Sequence, residues 1–401
     1  MKKRNLILTQ VALSMFISSF SVACTNPEGD NRIASPDTAI ATEVVVVADK
    51  TETNSRKIKI ALLLDTSNSM DGLIEQAKSQ LWSIVNELAA AKHEQGRPSL
   101  EIALYEYGND RLSAETGYIR QVLAFSNDLD DLSEKLFELK TNGGDEYCGY
   151  VIRTSMNELT WSENPDDLQM IFIAGNEPFN QGSVPFKESC LKAKNKGITV
   201  NTIFCGDFQN GISTFWKEGA DITGGNYMNI DHNQKTVYIQ SPYDPQITQL
   251  NINLNQTYIS YGSKGSEKKE KQVAEDSKAG SYGEANSVKR AISKSSHFYK
   301  NSSWDLVDAS DEKDFDLSKV KDEDLPTEMR GKSLAEKEAY IKTKKAERER
   351  IKTEIKNLNT QREAYVKEQQ KNAAETENQL DDAMIKSIKG QAAKKQLQFE
   401  K

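Results

Sequence analysis

The sequence predicts an α/β fold, in which a mainly parallel central sheet has helices on both faces, followed by an α-helical C-terminal extension. Two observations support this prediction. From residue 57 to residue 231, short apolar runs alternate with stretches in which apolar residues recur every three or four positions. Several of the runs, including "KIKIALLLD" and "LQMIFIAG", are apolar on both faces, which is typical of strands in a buried parallel sheet.

The predicted elements follow one another in a regular order. Strands are predicted at "KIKIALLLD", "SLEIALYEYG", "GYIRQVLAF", "LQMIFIAG", "ITVNTIFCG" and "GGNYMNID". The spacing of apolar residues between them predicts helices over residues 73–88, 129–139, 147–159 and 186–196. Strands that alternate with helices form parallel sheets, which bind ligands at the carboxyl ends of their strands.

The last part of the chain has a different pattern. Residues 333–399 contain no proline and one glycine, Gly390, and charges of both signs alternate densely. Apolar residues recur in broken heptads, with Lys344, Arg348 and Arg362 at positions that a strict coiled coil fills with apolar side chains. The pattern predicts one or two long helices. They either pack on the chain's own domain or form a coiled coil with a partner, and the sequence leaves both interpretations open.

The first residues predict export from the cytoplasm. Basic residues precede an apolar stretch from Leu6 to Phe20, which is followed by "SVAC" ending at Cys24, as in a secretory signal. The small residues before Cys24 resemble a bacterial lipobox, with Ser21 where leucine is usual, so we expect Cys24 to be lipidated. A plain signal peptide or an N-terminal anchor is the alternative. We therefore expect a protein of the bacterial cell envelope, lipid-anchored to a membrane on its periplasmic or outer-membrane face.

This interpretation divides the chain into five segments. They are a lipoprotein signal peptide (1–24), a polar tether (25–56), the α/β domain (57–240), an irregular segment packed on that domain (241–330) and the helical extension (331–401). The tether is rich in Asn, Asp, Thr, Glu and Pro, a composition typical of linkers.

Charge and motif content argue against two classes of function. The net charge is −8 and the acidic residues are spread along the chain, whereas nucleic-acid binding requires a concentrated basic face. The three histidines form no H-E-x-x-H motif, and the sequence contains no G-x-S-x-G motif. His232 could serve as a base, but a surface histidine is the simpler interpretation. We therefore expect neither a nucleic-acid partner nor an enzyme.

The strongest functional signal lies where the first predicted strand ends. In "IALLLDTSNSMDG" a buried run is followed at once by Asp65, Ser67 and Ser69, whose oxygens are hard metal ligands. A divalent cation such as Mg²⁺ takes about six oxygens, and a loop that leaves a strand can bring alternate side chains to one point. These residues predict a metal site. The alternative is that they cap the helix that follows.

This D-x-S-x-S motif, placed between an apolar strand and an amphipathic helix, resembles the metal-ion-dependent adhesion site (MIDAS) of von Willebrand factor type A (VWA) domains. The resemblance implies a Rossmann-like fold and a bound Mg²⁺, Mn²⁺ or Ca²⁺. It also implies a protein partner that reaches the metal through an acidic side chain. Two positions depart from the family pattern. Asp145 follows the Gly143-Gly144 pair where threonine is common, and Asn176 stands where the family commonly has Thr-Asp-Gly.

The two departures bear on function. One position gains a carboxylate and the other loses one, so we expect Asp145 and Asn176 to complete the metal site. A second bound carboxylate would, however, reduce the ion's attraction for an incoming acid. We expect a VWA domain that mediates metal-dependent protein–protein interaction or adhesion. The alternative is a structural envelope protein with a vestigial site, whose C-terminal helices make the functional contacts.

Three further cysteines remain after Cys24. Cys148 begins a predicted helix and Cys205 ends a predicted strand, so both are expected at the same edge of the sheet as the metal site. In an oxidising envelope we expect a disulfide between them. Cys190 is expected to be buried and free. The alternative is that all three are reduced core residues.

Overall fold

The computed structural model describes residues 56–70, 82–88, 90–93, 96–230, 238–372 and 379–399. All of them belong to one compact unit that starts at Glu52. The predictions made for Cys24, for residues 25–55 and for His232 lie outside the described residues. In the part of the chain that the structure describes, no helix is both long enough and apolar enough to span a bilayer.

The core of the protein is a six-stranded sheet with the order β4-β3-β1-β5-β6-β7. Only the edge pair, β3 with β4, is antiparallel; every other pair is parallel. If the strands of this sheet are numbered along the chain, leaving out the short strand β2 (Ala91–Lys92), their order is 3-2-1-4-5-6, as in doubly wound folds. The strands are β1 (Lys57–Asp65), β3 (Ser99–Tyr107), β4 (Ile119–Ser126), β5 (Leu168–Gly175), β6 (Thr199–Cys205) and β7 (Tyr227–Ile230).

Helices cover both faces of this sheet because the central strands are apolar on both sides. In β1, Ile60 and Leu62 point to one core, whereas Ala61 and Leu63 point to the other. The second core is closed by α3 (Cys148–Glu158), α4 (Phe186–Asn195) and α6 (Trp216–Thr223), with α5 (Phe208–Ser213) beside them. The first is closed by helical residues 82–88 (α1), by α2 (Leu129–Glu138) and by helices from the C-terminal half. The predicted α/β fold is confirmed.

Residues 238–330 are mostly helical, which corrects the prediction of an irregular segment. They form α7 (Asp244–Asn255), α8 (Gly265–Ser281), α9 (Glu284–Ser295) and α10 (Leu306–Ala309). In α8 and α9 much of what is buried is polar or charged, whereas α7 buries Ile247, Leu250 and Leu254. Arg290, which is 1% exposed, donates to Asp130 at 2.7 Å and to Asp276 at 2.6 Å. Lys294 is fully buried and donates to Asp276 at 2.7 Å.

The C-terminal extension consists of the long helix α11 (Leu334–Asn372), α12 (Gln379–Lys394) and the short strand β8 (Gln398–Phe399). The predicted long helices are therefore present. In the described structure α11 packs against α7 and α9 of its own chain. Arg348, on α11, is buried, pairs with Asp305 at 2.7 Å and lies 3.9 Å from the ring centroid of Tyr258. This contact explains why an arginine occupies a core position of the broken heptads.

The end of the chain is joined to the α/β domain in two ways. β8 pairs with β2 (Ala91–Lys92) in an antiparallel ladder. On α12, the Gln391 side chain donates to Oδ1 of Asn201 at 2.6 Å, on strand β6. Asn201 is fully buried, so α12 supplies hydrogen bonds that this strand cannot obtain from water.

Candidate metal centre

The candidate site lies at the carboxyl edge of the sheet, where three neighbouring strands end. β1 ends at Asp65, which is in register with Tyr107 at the end of β3. The hydroxyl of Tyr107 donates to the carbonyl oxygen of Ala174 at 2.9 Å, which joins the end of β3 to the end of β5. The loops that leave β1, β3 and β5 therefore start from strand ends that are joined to one another.

Four of the predicted ligands are brought together by a chain of short contacts. The backbone N–H of Ser67 donates to Asp65 Oδ1 at 2.7 Å. The Oγ atoms of Ser67 and Ser69 are 2.7 Å apart, and Ser69 Oγ donates to Asn176 Oδ1 at 3.0 Å. The next residue after Asn176 is held by Trp216, whose indole N–H donates to the Glu177 carbonyl at 2.8 Å. Three side-chain hydroxyl or amide oxygens thus lie in a row beside the Asp65 carboxylate.

The loop carboxylate that reaches Asp65 is Glu146, one residue after the predicted Asp145. Asp145 is exposed and accepts a hydrogen bond from the Tyr147 hydroxyl at 3.0 Å. Glu146 is 3% exposed, and its side chain lies close enough to Asp65 and Ser67 for both to influence its pKa. The sequence offers two adjacent carboxylates after Gly144, and nothing in their spacing shows which one faces inward.

Glycine at position 108 makes this contact possible. A Cβ atom at Gly108 would lie 2.7 Å from Asp65 Oδ1 and 2.7 Å from Glu146 Cγ, and the residue has φ +77°. Any other residue would separate the two carboxyl groups and strain the backbone. At Gly144 a Cβ atom would lie 2.6 Å from the Gly108 carbonyl oxygen, so this glycine permits the close approach of the loop.

The two carboxyl groups are electrostatically unusual. Burial raises the pKa of Asp65 to about 6. Burial, followed by the charge of Asp65, raises the pKa of Glu146 to about 9. No lysine or arginine is among the main influences on either pKa. Asp65 Oδ2 and Glu146 Oε2 are both buried, and neither accepts a hydrogen bond from a described residue.

These observations fit a divalent cation. Two buried carboxylates of like sign are costly unless a proton or a cation lies between them. Among the described residues, no group of three or more His, Cys, Asp or Glu side chains is arranged to hold a metal ion. An ion here would therefore depend on the oxygens of Ser67, Ser69 and Asn176 in addition to the carboxyl pair, which we define as Asp65 and Glu146.

The predicted disulfide between Cys148 and Cys205 is not formed. All three cysteines in the described residues are buried and free. Cys148 belongs to the core on the α3 side of the sheet, whereas the side chain of Cys205 points to the opposite core. The two thiols share an edge of the sheet but not a face. Cys190 is buried and free, as predicted.

No protein-family model matches the chain, and no curated protein matches it. A solved structure of the conserved hypothetical protein BatB from Bacteroides thetaiotaomicron is 18% identical, with 43% of this chain and 90% of that chain covered at a TM-score of 0.34.

Two further solved structures are similar over the same share of this chain. The SpRpn10 VWA domain is 14% identical, with 44% of this chain and 88% of that chain covered at a TM-score of 0.34. An aerotolerance-related membrane protein from Bacteroides fragilis, carrying multiple mutations to serines, is 16% identical, with 44% and 92% covered at a TM-score of 0.29. At such identities and TM-scores, this likeness supports no statement about family or function. The strand order, the antiparallel edge strand and the Asp65 loop at the carboxyl end of the central strand are the features of a von Willebrand factor type A fold, as predicted.

Proposed function

We propose that this protein binds a partner protein through a divalent metal ion held at the carboxyl edge of its VWA domain. One observation carries the proposal: two buried carboxyl groups face each other with no cation among the described residues to neutralise them. Such a pair destabilises the folded protein when it is empty, and it favours the binding of a cation.

Each residue has a distinct part in the proposed site. Asp65 and Glu146 supply the charge that holds the ion. Ser67, Ser69 and Asn176 supply neutral oxygens, either directly or through water. A bound Mg²⁺, Mn²⁺ or Ca²⁺ would supply Lewis acidity at a position open to an oxygen of the partner. We propose binding rather than catalysis, since the sequence carries none of the hydrolase motifs considered above.

We further propose that the domain works at a membrane of the bacterial envelope. The support is the N-terminal sequence, in which a basic segment, an apolar stretch and Cys24 follow one another as in lipoprotein signals. Lipidation at Cys24 would leave residues 25–56 as a tether between the membrane and the binding domain. Growing cells with labelled fatty acid tests this proposal, and Cys24→Ala should abolish incorporation.

The metal site is tested by isothermal titration of Mg²⁺, Mn²⁺ and Ca²⁺ into the full-length protein in detergent after chelator treatment. We expect saturable binding of one ion per chain, and loss of binding in Asp65→Ala. Asp314→Ala is the matched control, because Asp314 is an exposed aspartate of the C-terminal half. An absence of binding by the unmodified protein, or equal binding by Asp65→Ala, would exclude the site.

Partner binding is tested next, with envelope extract as the source of the partner. Capture by the immobilised protein should require the metal and fail with Asp65→Ala. The alternative, in which the C-terminal helices make the functional contacts, predicts capture that is independent of metal. Truncation before α11 is a poor test of that alternative, because it would leave Asp305 buried without Arg348. Charge reversal at exposed positions of α11, such as Lys342→Glu, tests it without that cost.

A further inference from the structure

We propose that the ion in this site is neutralised by two carboxylates, Asp65 and Glu146, and therefore takes a neutral amide carbonyl oxygen from the partner in preference to a carboxylate. This inference rests on the proposed metal-dependent function and specifies its ligand. It assigns to Glu146 a role as the residue that determines ligand specificity.

The first step is the position of Glu146. Its carboxyl group is buried against Asp65 and Ser67, and its Oε2 atom accepts no hydrogen bond from the described residues. The loop is anchored independently of any ion: the N–H of Glu146 donates to Gln181 Oε1 at 2.9 Å, and Asp110 N–H donates to the Gly143 carbonyl. The carboxylate is thus placed in advance by the fold.

The second step is the glycine beneath the pair. Gly108 lies within contact distance of both carboxyl groups, and a side chain there would collide with each of them. The close pairing of Asp65 with Glu146 therefore depends on the glycine that follows β3. A site that bound its ion through Asp65 alone would have no need of this arrangement.

The third step is charge. Two carboxylates balance the formal charge of a divalent ion, so a third carboxylate gains less from this ion than it would at a site with one carboxylate, and its neighbours repel it. Glu177, exposed on the rim of the site, adds to this repulsion, since its charge raises the pKa of both Asp65 and Glu146. An amide carbonyl brings a hard oxygen without charge and is a normal ligand of such ions.

The experiment compares two neighbouring carboxylates in the full-length protein in detergent. Mn²⁺ affinity is measured by titration calorimetry for the unmodified protein, Glu146→Gln and Asp145→Asn. We expect Glu146→Gln to weaken binding by about tenfold or more, because it removes one of the two carboxylate charges that hold the ion. Asp145→Asn should change the affinity by less than about twofold, because this side chain faces solvent.

Ligand preference is measured with carbon-13-labelled acetate and acetamide, as the Mn²⁺-dependent broadening of each carbonyl resonance. We expect the unmodified protein at saturating Mn²⁺ to broaden acetamide more than acetate. Glu146→Gln, saturated with Mn²⁺, should reverse this order. Stronger broadening of acetate by the unmodified protein would overturn the inference.

The outcomes separate the two proposals. If the unmodified protein binds no Mn²⁺, the metal-dependent function fails and this inference falls with it. If it binds Mn²⁺ and Glu146→Gln binds equally well, the inference alone is overturned and the site depends on Asp65 and the hydroxyl oxygens. Thermal unfolding of each metal-free variant shows whether it is folded, so that loss of binding is not mistaken for loss of structure.

Discussion

Two groups of buried charges in this protein differ in whether opposite charges balance them. Between α2, α8 and α9, the paired cluster, defined as Asp130, Asp276, Arg290 and Lys294, contains as many cations as anions. Burial favours protonation of Asp276, but the charges of Lys294 and Arg290 outweigh it and lower its pKa to about 2.

At the carboxyl edge of the sheet, the carboxyl pair has no such compensation, and both pKa values are raised. The difference shows which buried charges serve the fold and which are available for function. The opposite charges of the paired cluster balance one another and hold the helices together. The carboxyl pair has no opposite charge among the described residues and needs a proton or a cation from outside.

The largest expected effect comes from breaking the compensation in the paired cluster. Arg290→Met leaves Asp130 and Asp276 buried with one cation between them, and removing one member of a buried ion pair costs on the order of 3–5 kcal/mol. Urea unfolding of the full-length protein measures the loss. Arg350→Met is the matched control, because its exposed pair with Glu354 should contribute less than about 0.5 kcal/mol. Equal losses in the two variants would mean that the cluster contributes no more than a surface pair.

A smaller effect of opposite sign is expected when the carboxyl pair receives a cation. At a concentration of Mn²⁺ 100 times the dissociation constant, binding should stabilise the protein by about 2.7 kcal/mol. If the Mn²⁺ concentration is set to 100 times the dissociation constant at pH 8, the gain at that same concentration should be smaller at pH 5, because protons compete with the ion for both carboxylates. Thermal unfolding with and without chelator measures it, and Asp65→Ala should show no gain at either pH.

A comparable effect is expected from neutralising one member of the pair without metal. The pKa of Glu146 is raised from 4.5 to about 9, so its contribution to stability is present below pH 4.5 and is lost as the pH rises toward 9. In chelator at pH 8, Glu146→Gln should therefore be more stable than the unmodified protein, by on the order of 2 kcal/mol. The gain should disappear near pH 4.5. Urea unfolding at the two pH values is the measurement, and a loss of stability at pH 8 would contradict the expectation.

The smallest effect is expected one residue away. Asp145→Asn should change the stability of the metal-free protein by less than about 0.5 kcal/mol at any pH between 5 and 8, because the side chain is exposed and its one described partner is the Tyr147 hydroxyl. The same unfolding curves measure it. A pH dependence altered as strongly as in Glu146→Gln would show that both carboxylates share the buried position.

The sequence predicts those elements whose buried residues are apolar and form a regular pattern or a continuous run. Strands β1 and β5 are apolar on both faces, and their continuous buried runs are visible without a structure. Helix α9 departs from that rule, because Arg290 and Lys294 take the place of apolar residues and their burial depends on carboxylates elsewhere in the chain.

The candidate site divides in the same way. The strand context locates Asp65, Ser67, Ser69 and Asn176, because the carboxyl ends of neighbouring parallel strands meet at one edge. The choice between Asp145 and Glu146 depends on the path of a loop, for which sequence spacing has no rule. The predicted pairing of Cys148 with Cys205 is wrong for a related reason: both residues lie at one edge of the sheet, but their thiols lie on opposite faces.

The ladder between β8 and β2 has a consequence for how the protein folds. It joins Ala91 to Phe399, residues roughly 300 positions apart in the chain, and α12 covers the buried Asn201 on the way. Contacts of such long range form slowly, since a large loop must close before they bring any gain. The covering of the sheet by α12 and the ladder between β8 and β2 therefore cannot form until the last residues of the chain have been synthesised.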